Sequence, residues 1–249
     1  MSTLPLLPWF STYSLPQQGQ ARAFAFPYSG AGSTAYFQWA KHCQGSTVDF
    51  IGVQPPGREN RLREKPVADL SVLLATLLPA ITPLLDKPFV FFGHSMGALI
   101  AFELCRALRK QGLPLPNHLF VSGFRAPDMP NPNKELHRLS DQGIIDNLRQ
   151  YGGTPEAVLN NKELMAMFLP VLRADFAVHE TYRYPPEAPL PNPITALSGS
   201  SDSISRPDYM FNWQRQTTST FEQIQYEGDH FFLHKHRNTI IQRLQQAIE

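Results

Sequence analysis

The plainest capacity for chemistry lies in Phe89-Val-Phe-Phe-Gly-His-Ser-Met-Gly-Ala-Leu-Ile-Ala-Phe-Glu-Leu. Within it, Gly93-His94-Ser95-Met96-Gly97 sets a serine between two glycines. Five residues of common types carry little information alone. Their setting carries more, because an apolar strand-like run precedes them and an unbroken helix-like run follows, as an exposed nucleophilic serine requires. Ser95 must occupy a sharp, strained turn, so its near neighbours must be small, and Gly93 and Gly97 supply that room. A helix starting at Met96 also aims free backbone N–H groups at the place where a negative oxygen would form. The chemistry implied is attack of a hydroxyl on a carbonyl carbon.

A serine hydroxyl needs a base, usually a histidine oriented by a carboxylate. In serine hydrolases of the α/β type these follow in chain order serine, acid, histidine. His230 stands in Glu227-Gly-Asp-His-Phe-Phe-Leu, directly after an apolar run. His234 and His236 fall later, entering the last helix, and read as surface residues. His94 reads as a packing or hydrogen-bonding residue. Two acids compete for the third role. Asp202 follows the run at Ile194, one strand before His230, and is preferred; Asp128 follows the earlier run at His118. Asp229 reads as a turn residue. For the oxyanion, one donor is expected from Met96 N–H and the other from Ser29 or Gly30, in the glycine-containing loop Pro27–Ser33.

These residues need a scaffold that brings strand ends to one edge. Short apolar runs at Ala21–Pro27, Val48–Val53, Phe89–Gly93, His118–Gly123, Ile194–Ser198 and Phe221–Glu227 alternate with longer amphipathic segments. Near-continuous apolar character marks strands buried on both faces. The fold class expected is α/β, a mostly parallel sheet flanked by helices. Helices are predicted at Thr34–His42, with Tyr36, Phe37 and Ala40 on one face; after Asp69 as N-cap, kinked or ended by Pro79 and Pro83; at Met96–Gln111; and at Asn238–Ile248. Residues 127–193 break the rhythm. They hold helical patterns at Asp141–Tyr151 and Lys162–Thr181 and are expected to form a helical lid inserted before the penultimate strand of a single domain spanning 1–249. Of their apolar residues, Met165, Met167 and Phe168 are expected to line an acyl channel.

Composition limits the alternatives. The chain has 249 residues, with 22 Lys and Arg against 21 Asp and Glu, a net charge of +1 that argues against a broad nucleic-acid surface. The first twenty residues contain no basic stretch followed by a long apolar run, so neither a secretion signal nor a membrane helix is expected there. The cysteines, Cys43 and Cys105, are too few for a disulfide framework and lack metal-binding spacing. No metal and no cofactor are expected, and the reading is of a cytoplasmic monomer.

With these pieces in place the chain resembles the type II thioesterases, stand-alone editing enzymes of nonribosomal peptide and polyketide synthases. The resemblance rests on Phe26-Pro-Tyr-Ser-Gly-Ala-Gly, Gln54-Pro-Pro-Gly-Arg-Glu-Asn-Arg61, the serine elbow, Ser122-Gly-Phe-Arg-Ala-Pro, Leu169-Pro-Val-Leu-Arg-Ala-Asp-Phe176 and Gly228-Asp-His-Phe-Phe-Leu. The first loop departs from the family's Ala-Gly-Gly, having Ser29-Gly30-Ala31, and Asp229 replaces the second glycine of a Gly-Gly-His pattern. The resemblance implies a triad of Ser95, Asp202 and His230. It also implies an acyl thioester substrate carried on the phosphopantetheine arm of an acyl or peptidyl carrier domain. A releasing thioesterase of fatty acid synthesis and a general carboxylesterase are the alternatives; acyltransferases that share the elbow lack the late Asp…His pair. Because carrier domains are acidic, Arg58, Arg61 and Arg63 in the loop Gly57–Lys65 are expected to dock the partner.

Overall fold

The computed structural model describes residues 8–12, 19–131 and 135–248. Most of the N-terminal segment, and residues 132–134 of the expected insertion, lie outside them. A seven-stranded sheet is formed by β1 (Phe10–Thr12), β2 (Ala21–Phe26), β3 (Val48–Val53), β4 (Phe89–His94), β5 (His118–Ser122), β6 (Ile194–Gly199) and β7 (Phe221–Tyr226), in the order β1-β3-β2-β4-β5-β6-β7. Every pairing is parallel except β1 with β3. The six strands expected from apolar runs are all present, within one residue at each end. The seventh, β1, has only three residues, too short to show a period, and is placed by its antiparallel register on β3 (Phe10 opposite Val53).

Burial of both sheet faces explains the unbroken apolar strands. On one face Phe24, Phe26, Phe89, Phe91, Leu119 and Val121 pack against α2 (Leu70–Ile81) and α3 (Met96–Lys110). The rings of Phe24 and Phe26 meet those of Phe89 and Phe91 edge to face at centroid distances of 5.1–6.0 Å. On the other face Ala23, Ala25, Val90, Phe92 and Phe120 lie beneath α1 (Phe37–His42) and the C-terminal α9 (Arg237–Gln246). In α1 the inward face is Trp39 and Ala40, preceded by Tyr36; Phe37 points outward and is exposed, contrary to expectation.

Asp69 caps α2 by accepting a hydrogen bond from Val72 N (3.0 Å). Pro79 neither ends nor interrupts that helix, which runs on to Ile81; its ring lies on the exposed side, and the helix gives way to a 3₁₀ turn only at Thr82–Leu84, around Pro83. Gly112, at φ +64°, follows the end of α3, where a left-handed residue terminates a helix easily.

Between β5 and β6 the chain forms α4 (Asp141–Tyr151), α5 (Glu156–Leu159) and α6 (Lys162–Glu180). These helices have their own small core of Leu136, Ile144, Leu148, Leu159, Met165, Leu169, Leu172 and Phe176. Leu164, Met167 and Phe168 remain exposed on α6. The segment beyond β6 adds α7 (Pro207–Phe211), and β7 leads through the short α8 (Phe232–Lys235) into α9.

Candidate active site

Ser95 lies between β4 and α3 at φ 53°, ψ −123°, a conformation L-residues rarely adopt. Its N–H donates to Ser122 O on β5 (2.7 Å), and its carbonyl accepts from Ala98 N (2.9 Å), so sheet and helix hold the strained residue from both sides. The flanking glycines are required by space. A Cβ on Gly93 would stand 2.2 Å from Gly97 O, and one on Gly97 would stand 2.1 Å from Phe26 O. These are backbone neighbours that no side-chain rotation can clear. Gly97→Ala is therefore expected to push α3 off the end of β2, lowering stability by about 1–3 kcal/mol through overpacking. Turnover should fall with it; urea unfolding and kcat measured on the same preparation test this.

The structure joins His230 to Asp202. His230 Nδ1 donates to Asp202 Oδ2 at 2.8 Å, and both side chains are buried. That bond places the exchangeable lone pair on Nε2. Asp202 Oδ1 accepts from the backbone N–H groups of Ile204 (2.8 Å) and Ser205 (2.9 Å) in the turn after β6. Burial opposes the carboxylate's charge, but the hydrogen bond and charge of His230 and the two amides outweigh it and hold its pKa below the usual carboxylate value. Gly199 allows the β7 turn to cross close by, since its Cβ would meet Asp229 O at 2.2 Å. Asp229 is a turn residue, accepting from Phe231 N. Asp128, the competing acid, is ion-paired with the half-exposed Arg215 (2.9 Å) and is not part of the site.

The other histidines separate clearly. His94 is buried completely, and burial, with the neighbouring His230, drives its pKa far down. It stays neutral, its Nδ1 sharing a hydrogen bond with Ser122 Oγ (2.8 Å) and its ring 4.9 Å from that of His230. His234 is exposed and stacks on Phe231; His236 Nε2 contacts Glu227 O.

Ser95 and His230 line a cavity of about 270 Å³ walled by Tyr28, Ser29, Gly30 and Ala31 on the sheet side and by α4–α6 opposite. Of the residues expected to meet an acyl chain, Met165 and Phe168 line this cavity, together with Leu136, Leu148, Leu172 and Phe176. Met167 does not; it lines an adjoining groove with Thr34, Gly57, Leu62 and Leu164.

Two expectations are corrected. Gly30 is not free to serve as an oxyanion donor, because its N–H is committed to Asp175 Oδ2 (2.7 Å). Arg58 and Arg61 do not form a docking face. Arg58 is 4% exposed and makes a two-pronged ion pair with Asp175 (2.6 and 2.7 Å). Arg61 is 7% exposed, bound to Glu64 and to Gln54 O, with its guanidinium over the Trp9 ring. Of that loop's cationic side chains, only Arg63 and Lys65 face solvent. Asp175 was not singled out as a functional residue, although the Arg-Ala-Asp-Phe segment that carries it was. Among the described residues, no cluster of three or more His, Cys, Asp or Glu is arranged to hold a metal.

A mostly parallel sheet carrying a strained serine, with a histidine–carboxylate pair at the same edge, defines a serine hydrolase of the α/β-hydrolase fold. Within that class the chain belongs to the thioesterase family, whose domain model matches residues 21–248. It is 40% identical to the gramicidin S biosynthesis protein GrsT of Aneurinibacillus migulanus, over 94% of this chain and 91% of that one. Its fold is similar to that of the type II thioesterase BorB from the borrelidin biosynthetic cluster (TM-score 0.88, 34% identity, 97% of this chain and 98% of that one). It is similar also to RedJ, a thioesterase from the prodiginine pathway of Streptomyces coelicolor (TM-score 0.86, 36% identity, 93% and 92% covered). The chain is thus a thioester hydrolase. No helix among the described residues is long and apolar enough to cross a membrane.

Proposed function

We propose that this enzyme removes aberrant or stalled acyl groups from the phosphopantetheine arms of carrier domains in a nonribosomal peptide or polyketide synthase. The observation that carries the reading is a pair of adjoining spaces, one of them lined by Ser95 and His230. The cavity at Ser95, largely apolar in its lining, suits an acyl chain, and the adjoining groove, which shares Tyr28, Gly30, Ala31 and Phe168 with it, suits the arm. The similarity to thioesterases of such biosynthetic clusters supports the same substrate class.

In the reaction, Ser95 Oγ attacks the thioester carbon as its proton passes to His230 Nε2. Asp202 keeps the imidazole in the productive tautomer and stabilises its charged form. The oxyanion is received by Met96 N–H and, with Gly30 engaged elsewhere, by Ser29 N–H. Collapse of the adduct expels the pantetheine thiol, which takes the proton from His230. Water then repeats the sequence on the acyl-serine, releasing the acid. The enzyme acts in the cytoplasm, where such synthases work, and Arg63 with Lys65 remains as the cationic contribution of the loop to carrier docking.

The test is deacylation of a carrier domain bearing an acyl-pantetheine, compared with an aryl ester of the same acid. A kcat/KM at least tenfold higher on the acylated carrier is expected. Preference for the aryl ester would replace this reading with a general carboxylesterase.

A further inference from the structure

The loop that forms one side of the cavity at Ser95 closes one turn of its own, Ala31 N–H donating to Tyr28 O (3.0 Å), and is otherwise gripped from outside. Gly30 is at φ +81°, and one donor and one acceptor of the loop, Gly30 N–H and Ala31 O, are taken by side chains remote in sequence. Gly30 N–H donates to Asp175 Oδ2 (2.7 Å), and Ala31 O accepts from Arg58 Nη1 (3.0 Å). Asp175 and Arg58 are themselves joined by two short charge-assisted hydrogen bonds, with side-chain exposures of 1% and 5%. Asp175 belongs to α6 of the insertion, and one helical turn earlier Leu172 packs so closely that a Cβ on Gly30 would meet its Cδ2 at 2.7 Å. The insertion and the loop beside Ser95 therefore meet through a buried ion pair that grips the peptide groups at Gly30 and Ala31.

A buried ion pair is weak evidence for stability, since an apolar pair of similar volume often serves as well. This one is distinguished by what it binds besides itself: a backbone donor and a backbone acceptor of the loop adjoining the nucleophile. The geometry points to Asp175 and Arg58 as positioning residues for the oxyanion site, fixing the Ser29–Gly30 peptide and, through Ser29, the adjoining Tyr28–Ser29 peptide whose N–H is the donor, so that catalysis is competent only while α6 is seated on the loop. The inference rests on the proposed role of Ser29 N–H as an oxyanion donor. Asp175 touches neither the substrate nor the reacting atoms. Its effect runs through the orientation of the loop, and preorganised donors lose most of their value when displaced.

The experiment uses the full chain, a small acyl-pantetheine thioester and an alkylboronic acid, whose boron takes up Ser95 Oγ to form a tetrahedral adduct resembling the intermediate. Asp175→Asn should lower kcat by about 10²-fold, the order expected for loss of one oxyanion donor. KM should change by no more than about twofold, and boronate affinity should fall in parallel with kcat/KM. The double variant Arg58→Met with Asp175→Leu replaces the pair by apolar side chains. It should fold with wild-type cooperativity yet stay as slow as Asp175→Asn, and it keeps the test open should Asp175→Asn fail to fold. Recovery of wild-type kcat in the double variant would show that the pair only staples the insertion down, overturning the inference. A change confined to KM would overturn it as well. Wild-type enzyme that forms no Ser95 adduct would instead remove the underlying assignment of the nucleophile, an outcome distinct from either.

Discussion

Ser95→Ala is expected to lower turnover by about 10⁶-fold on any thioester, with the fold unchanged. The size follows from how a nucleophile and its base act as one unit: once either is missing, the other contributes almost nothing. What remains is the acceleration from binding and from the oxyanion donors. Alanine suits the elbow no worse than serine, because the strain at φ 53° belongs to the backbone and is held by the bonds to Ser122 and Ala98. Thermal unfolding should therefore match wild type within a few degrees while kcat disappears. Treatment of wild type with a fluorophosphonate should add one label, on Ser95, and Ser95→Ala should take none. Near-normal turnover in Ser95→Ala, or a label on another serine, would remove Ser95 from the chemistry and every role assigned around it.

The second large effect is expected at the acid. Asp202→Asn should reduce kcat by about 10⁴-fold, because an amide in place of the carboxylate favours the wrong imidazole tautomer and no longer stabilises its cation. Asp128→Asn should change kcat by less than threefold, since Asp128 is engaged by Arg215 away from the site. The reverse pattern would return the role to the earlier strand. A thermodynamic signature accompanies this. The carboxyl of Asp202 is held below its ordinary value in the folded protein, with burial opposing and His230, Ser205 N and Ile204 N prevailing. A depressed folded pKa contributes stability that is present above the unfolded pKa, about 3.9, and is lost as pH falls through the folded value. Stability curves of wild type and Asp202→Asn should accordingly differ in slope below about pH 4 and run parallel between pH 6 and 8. Parallel curves throughout would mean that the carboxyl is not held low by these partners.

The parts of the site that were legible in advance share a local cause. The elbow is encoded within a few residues, since Gly93 and Gly97 are the neighbours whose side chains would collide with backbone, and the apolar run and helix that flank Ser95 are adjacent in sequence. His230 was legible because a base must follow a late strand, and the turn after β7 is where the chain returns to the sheet edge. The stretch between β5 and β6 was legible as a long interval without strand character, and its principal helices, α4 and α6, fall within one residue of the helical patterns.

The arginine loop shows where that reasoning stopped. Arg58, Arg61 and Arg63 stand close together on one loop with the composition of a solvated basic surface, yet they have three different environments. Arg58 finds its carboxylate 117 residues away, and Arg61 folds inward over Trp9. Only Arg63 is left in water. Whether a guanidinium is buried depends on a partner that desolvates with it, and that partner need not lie nearby in the chain. Gly30 is similar. Its place in a glycine-containing loop makes its N–H a candidate donor, but the acceptor that takes it comes from 145 residues further along.

By itself, the sequence determined the class of chemistry, the order serine, acid, histidine along the chain, and a parallel sheet buried on both faces. Each of these is set by sterics, hydrophobic period or strand-end position over short spans. The tertiary structure alone decided which acid pairs with His230, that the Gly30 N–H is taken by Asp175, which arginines reach solvent, and that β1 pairs at all. Those outcomes depend on contacts between segments tens to more than a hundred residues apart. There, the geometry of packing and the cost of leaving a buried charge or N–H unpaired choose the partner, and neither quantity is carried by any local stretch of residues.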